Sequence, residues 1–131
     1  MKVKRIKETC LYVADLHRTR DFYEGKLGLE CMTLDEGRHV FFRAGDSVLL
    51  CFNPEDSRTK THLPPHWGKG VLHLAFDVAR EDYEGWKEKV SAAGIPITHE
   101  QDWGRGILSF YFDDPDGHCI EILMEGLWDP D

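Results

Sequence analysis

The stretch ETCLYVAD, residues 8–15, returns in kind as HLAFDVAR at 73–80, an offset of 65 residues. KLGLE (26–30) is echoed in the same way by AAGIP (92–96). Repetition at a fixed offset, with the order of segments kept, marks a duplicated supersecondary unit. It constrains the chain strongly, because whatever one half folds into the other must fold into as well. The halves run over about 1–54 and 70–125, with a linker at 55–69, inside one domain of residues 1–131. The joining segment NPEDSRTKTHLPPHWGKG (53–70) is polar and rich in Pro and Gly, as a linker should be. Neither half carries enough apolar surface for a good core of its own, so the two are expected to pack together.

Within each half the same elements follow one another. RIKETCLYVA (5–14) alternates as a strand. Asp15 can then cap a helix with Leu16, Tyr23 and Leu27 on one stripe, which Gly28 stops. A strand near 38–43, an Ala-Gly-Asp turn and the apolar run VLLCF (48–52) complete the first half. The second opens with VLHLAFDV (71–78). A helix from about Glu81 then aligns Tyr83, Trp86, Val90 and Ala93, closed by Gly94 and Pro96. LSFYF (108–112), a Pro-Asp-Gly turn and HCIEIL (118–123) finish it. The expected fold is α+β: two βαβββ modules with helices outside.

Strand parity separates two faces of each sheet. Leu11 and Val13, then Leu72, Leu74, Phe76 and Val78, then Phe110 and Phe112, then Ile120 and Ile122 face the helices. The opposite face is mixed, and Glu8, His73, Tyr111 and Glu121 all fall on it. A face that carries ionisable groups is expected to surround a cavity. Glu121 stands out, a lone carboxylate among Ile120, Ile122 and Leu123.

Composition removes several classes of function. The net charge of −8, from 16 basic and 24 acidic side chains, opposes nucleic acid or an anionic membrane surface as the main partner. No apolar run approaches the ~20 residues of a membrane span, and MKVKRIKETC has no apolar core of a signal peptide. Cys10, Cys31, Cys51 and Cys119 form no CxxC pair, which fits reduced thiols and a cytoplasmic location.

One His and two carboxylates on a concave sheet suit an open divalent-metal site. Each has an ordinary alternative: a hydrogen-bonded strand histidine for His73, a solvent-facing carboxylate for Glu121, a surface charge for Glu8. His62-Leu-Pro-Pro-His66 has the spacing of a helical metal pair, but two prolines forbid that helix. His118 faces away from Glu121 and is expected to be structural. The chain has no phosphate-binding Gly loop, no GxSxG elbow and no Cys with an evident base.

In VADLHRTRDFYEGKLGLE (13–30), HLAFDV (73–78) and FYFDDPDGHCIEI (110–122), spaced as paired modules, the chain resembles the vicinal oxygen chelate superfamily over nearly its whole length. That superfamily includes glyoxalases, bleomycin-resistance proteins, fosfomycin-resistance enzymes and extradiol dioxygenases. The resemblance implies that the modules pair into a cup-shaped, partly open β-barrel around one divalent metal ion (Mn, Zn, Ni or Fe). Carried over by position, the ligands are Glu8, His73 and Glu121. Glu8 departs from the usual His or Gln, which makes the site harder and more negative. Glyoxalase I uses a further carboxylate in the fourth strand of its first module, where SVLLCFNP (47–54) offers Leu50 or its neighbour. The fosfomycin-resistance group resembles SFYFDDPDGHCIE (109–121) most, and Tyr111 matches a substrate-contacting tyrosine there. The tail LMEGLWDPD lacks the basic residue expected to grip a phosphonate.

The resulting expectation is an enzyme that acts on a small oxygenated substrate by Lewis-acid stabilisation of an oxyanion. His39, near the position of a glutamate base in the epoxide-hydrolysing subgroup, is a candidate base beside Tyr111. Arg105 and Trp103, on a loop before the third strand of the second module, are candidate substrate contacts. An iron-dependent ring-cleaving dioxygenase and a non-catalytic binding protein, with a cleft lined by Trp67, Trp103 or Trp128, are the alternatives. A homodimer is implied by the same resemblance, with Glu8 able to serve a partner's site.

Overall fold

Strand β1, Glu8–Tyr12, opens a sheet whose last strand returns beside it. The computed structural model describes residues 1–130, which divide after Gly70 into two units. In the first, β1 is followed by helix α1 (Leu16–Arg20) and by β2 (Glu30–Asp35), β3 (His39–Ala44) and β4 (Ser47–Phe52). The sheet order is β1-β4-β3-β2, with β1 parallel to β4 and the other pairs antiparallel. The parallel pair follows from the helical crossover, which brings the chain back across the sheet before the antiparallel meander.

Asp15 caps α1 as expected: its Oδ1 accepts the backbone N–H of Arg18 at 3.0 Å. Beyond Arg20 the helix widens into a π-helical turn over Asp21–Lys26. In it two consecutive rings, Phe22 and Tyr23, are both buried together with Leu16 and Leu27. Gly28 ends it at φ 80°. Tyr23 packs on Phe42 of β3, ring centroids 5.4 Å apart, while Leu11, Val13, Val40 and Leu49 fill the rest of this layer.

Residues 55–69, expected as a linker, join the packing of the first unit. Helix α2, Pro54–Ser57, starts at the Asn53 cap with proline in its first turn. Further along, the His66 ring lies 5.1 Å from that of Phe52. Gly68 lies so close to Tyr12 that an added Cβ would stand 2.6 Å from Cε2 of that ring.

The second unit repeats the plan with β5 (His73–Val78), a 3-10 turn at Arg80–Asp82, α3 (Tyr83–Ala92), β6 (His99–Asp102), β7 (Leu108–Asp113) and β8 (Cys119–Met124). Its order is β5-β8-β7-β6, again with the first and last strands parallel. Tyr83 and Val90 of α3 are buried, as are Phe110, Phe112, Ile120 and Ile122, the residues that parity assigned to the helix side, and the Tyr83 ring packs on Phe110. The acidic segment before β8 is a hairpin turn. Asp114 Oδ1 accepts the N–H groups of Asp116 and His118, both at 2.9 Å, and Gly117 takes φ 82°.

The fold is therefore α+β, with two four-stranded mixed sheets and no closed barrel. Among the described residues no helix is long and apolar enough to cross a membrane, and all four cysteines are free thiols.

Candidate functional site

Glu121 occupies an interior strand, β8, between Ala75 of β5 and Tyr111 of β7. Its side chain is only 7% exposed, and its Oε1 stands 3.2 Å from Nε2 of His73. The other nitrogen of that imidazole, Nδ1, lies 2.8 Å from the carbonyl oxygen of Cys119, its neighbour across the β5–β8 ladder. A carbonyl can only accept, so Nδ1 carries a proton, and Nε2 is the nitrogen turned toward the Glu121 carboxylate. A backbone carbonyl that fixes the tautomer of a ligating histidine is the usual outer support of a metal site.

Tyr111 lies beside Glu121 and hydrogen-bonds with both Glu121 and Ser109. Burial lifts its phenol above the ordinary range. The bond to Glu121 adds to this, against the opposing bond with Ser109, so the group remains a neutral donor. Trp103 Nε1 donates to Ser109 Oγ at 3.0 Å. Trp103, Ser109, Tyr111, Glu121 and His73 therefore form one polar chain on the mixed face of the second sheet. The Cys119 thiol is raised too, by burial first and then by Asp113 and Glu121, which keeps it protonated.

Of the other residues singled out in the sequence, Arg105 lies against the C-terminal segment. It takes φ 55° between Gly104 and Gly106, and its Nη2 donates to the Leu127 carbonyl at 3.2 Å. His118 is 2% exposed, and its Nδ1 accepts the Leu72 N–H at 3.1 Å, a structural role. Among the described residues, no group of three His, Cys, Asp or Glu side chains is gathered for a metal ion. His73 and Glu121 are brought together, while Glu8 stands at the start of β1 in the first unit.

Glu8 borders a cavity of about 360 Å³ in that unit, which Leu50, His39, Phe41, Phe52 and Ser57 also line. Leu50 thus occupies the fourth-strand position with an apolar side chain. The ring of His39 stacks on Phe41 at 4.1 Å. Burial, the largest influence, holds its pKa below the usual histidine value, with Asp35 opposing. The unfolded chain then takes up a proton before the folded one does. Stability linked to His39 is present above the ordinary histidine pKa and is lost as pH falls below it. An imidazole NMR titration is expected to find a midpoint for His39 below that of a free histidine; one above it would contradict the half-buried placement.

Sequence reasoning missed Ser57, placed in the linker, and the rings of Phe41, Phe52 and His66 as one wall. The alternation His39, Phe41 in β3 was the available signal. No helix covers His62–His66, as the prolines required.

The glyoxalase/bleomycin resistance protein/dioxygenase superfamily model matches residues 5–122. The glutathione transferase FosA of Serratia marcescens is 31% identical over 95% of this chain and 84% of its own length. The lactoylglutathione lyase of Escherichia coli O157:H7 is 28% identical over 92% of this chain and 93% of its own. The crystal structure of a lactoylglutathione lyase from Agrobacterium tumefaciens superposes with a TM-score of 0.92 at 32% identity, covering 99% of this chain and 100% of that one.

Proposed function

Because this chain belongs to the glyoxalase/bleomycin resistance protein/dioxygenase superfamily, we propose that it is a divalent-metal-dependent enzyme of the glyoxalase or fosfomycin-resistance type, acting on a small oxygenated substrate. The observation that carries the reading is the 3.2 Å approach of His73 Nε2 to the buried Glu121 carboxylate, with Nδ1 committed to the Cys119 carbonyl. A nitrogen and an oxygen donor, one neutral and one anionic, fit Mn, Zn, Ni or Fe in the divalent state. Glu8 is proposed as the third ligand. Bound there, the ion would polarise a substrate oxygen and stabilise the charge that develops on it.

The chain's own groups have separate tasks. The Cys119 carbonyl fixes the His73 ring and its tautomer. Tyr111, a neutral donor at physiological pH, orients the Glu121 carboxylate and can offer its proton to a substrate oxygen. Trp103 holds Ser109 against Tyr111. Apart from Trp103, which lies just past β6, these groups are placed by strand ladders, which suits a site that must not reorganise during reaction. The relatives' names supply the reaction classes, transfer to a thiol such as glutathione and lyase chemistry on a glutathione adduct.

The test is metal content after reconstitution with Mn, Ni, Zn or Fe, measured on wild type, His73→Ala and Glu8→Ala. Wild type is expected to hold about one ion per site and His73→Ala to fall at least about tenfold in affinity. A matching fall in Glu8→Ala assigns the third position. Iron alone at near stoichiometry would move the reading to the dioxygenase branch. Wild-type protein that takes up no metal would overturn it.

A further inference from the structure

Charge is divided unevenly along the chain. Residues 1–70 carry 12 Lys and Arg against 10 Asp and Glu, whereas residues 71–131 carry four against 14. The positive excess of the first unit lies in MKVKRIK (1–7), which holds four of those cations and no acid. This segment precedes β1 and belongs to no helix or strand. Arg5 pairs with Asp46 at 3.0 Å and Lys7 donates to the Asp46 carbonyl, which ties the segment to the turn before β4. Lys2 and Lys4 enter no ion pair among the described residues, and Val3 and Ile6 are 90% and 79% exposed. The second unit presents the complement. In its sheet β5 is laddered only to β8, so its other edge is open. Phe76 and Val78 of β5 are half-buried, although their ladder partners Ile122 and Met124 are buried. Carboxylates stand beside them. Asp77 is exposed on the opposite face, and the Glu125 N–H donates to the Val78 carbonyl at 2.9 Å. Partial burial, and then the charges of Glu125 and Asp129, raise the Asp77 carboxyl above its usual value.

We infer that residues 1–7 of one copy dock along the open edge of β5, at its Asp77 end, in a second copy of this chain. Val3 and Ile6 supply apolar surface for Phe76 and Val78, and Lys2 and Lys4 supply charge for Asp77 and Asp129. A segment of one chain laid beside a strand that is laddered on one side only is a recurrent way for chains to join. Charge complementarity selects the partner. The chain carries both the basic segment and the acidic edge, and in the single chain both are exposed. A two-fold pair of copies covers both surfaces in each copy, whereas an unrelated acidic protein would cover only one. The contact needs no bound metal and uses none of the residues assigned to the metal site.

The test is sedimentation equilibrium on the full chain, on two charge-reversed forms and on their mixture. One form carries Lys2→Glu with Lys4→Glu, the other Asp77→Lys with Asp129→Lys. All four side chains are exposed, so both forms should unfold thermally as wild type does. Wild type is expected to be a dimer at micromolar concentration, and added salt should weaken it. Each form alone should dimerise at least about tenfold more weakly, since it sets like charges together at both symmetry-related contacts. Mixed in equal amounts, the two forms should regain wild-type affinity as a heterodimer. One of its contacts is then native, and the other has both signs reversed. A contact made within one chain could not be rescued by mixing. A monomeric wild type, a reversed form that dimerises as tightly as wild type, a mixture no tighter than its components, or a dimer indifferent to salt would each overturn the inference.

Discussion

Glu121→Gln is expected to lower divalent-metal affinity by at least about 100-fold while leaving the protein folded. The substitution keeps the shape of the side chain and removes its charge. In wild type the buried carboxylate stands 3.2 Å from Nε2 of the half-exposed His73 ring. An amide in that place can turn its NH2 toward the imidazole and make a hydrogen bond. The metal-free variant should then be as stable as wild type, or more stable by about 1 kcal/mol. Thermal unfolding with and without metal separates the effects: wild type should gain stability with the ion, since a ligand held only by the folded state stabilises it, and the variant should gain almost none. A variant that binds metal like wild type removes Glu121 from the ligand set. One that unfolds without metal would show the carboxylate to be a structural anchor instead.

Phe110→Ala is the second large effect, and it falls on stability. Phe110 is fully buried, pairs with Ile122 across the β7–β8 ladder and packs against Tyr83 of α3 at 5.6 Å and Phe112 at 6.0 Å. Removing the ring leaves a void between helix and sheet that rigid ladders cannot close. A loss of about 3–5 kcal/mol follows, or a fall in melting temperature of roughly 10–20 °C. Phe110→Leu should recover more than half of it by refilling the volume. Tyr111→Phe, one residue along and on the opposite face, keeps its ring and should change stability by less than about 1.5 kcal/mol. A comparable loss at both positions would mean that the two faces of β7 are not energetically distinct.

That contrast is the part of the molecule that was legible in the sequence. Alternation along LSFYF and HCIEIL assigned Phe110, Phe112, Ile120 and Ile122 to the helix side, where burial puts them. The same parity put His73 and Glu121 on one face before any distance was known. Other features left no such trace. Strand β6 is HEQD, polar at every position, and it exists because β7 offers it a ladder. The π-helical turn was hidden because Leu16, Tyr23 and Leu27 fit an ordinary helical stripe. Ser57 and His66 were hidden by composition, since a stretch rich in proline and charge reads as a linker even when it is folded back against a sheet. Trp103 joined the site through Ser109, a small polar residue whose burial parity does not predict.

The strand order has one more consequence. Glu121 belongs to a strand laddered on both sides, whereas His73 begins β5, which in its own sheet pairs on one side only. Opening a doubly laddered strand breaks two sets of backbone bonds, so its amides exchange with solvent hydrogen far more slowly than those of a border strand. Amide exchange is therefore expected to be faster around His73 than around Glu121, although the two side chains stand 3.2 Å apart.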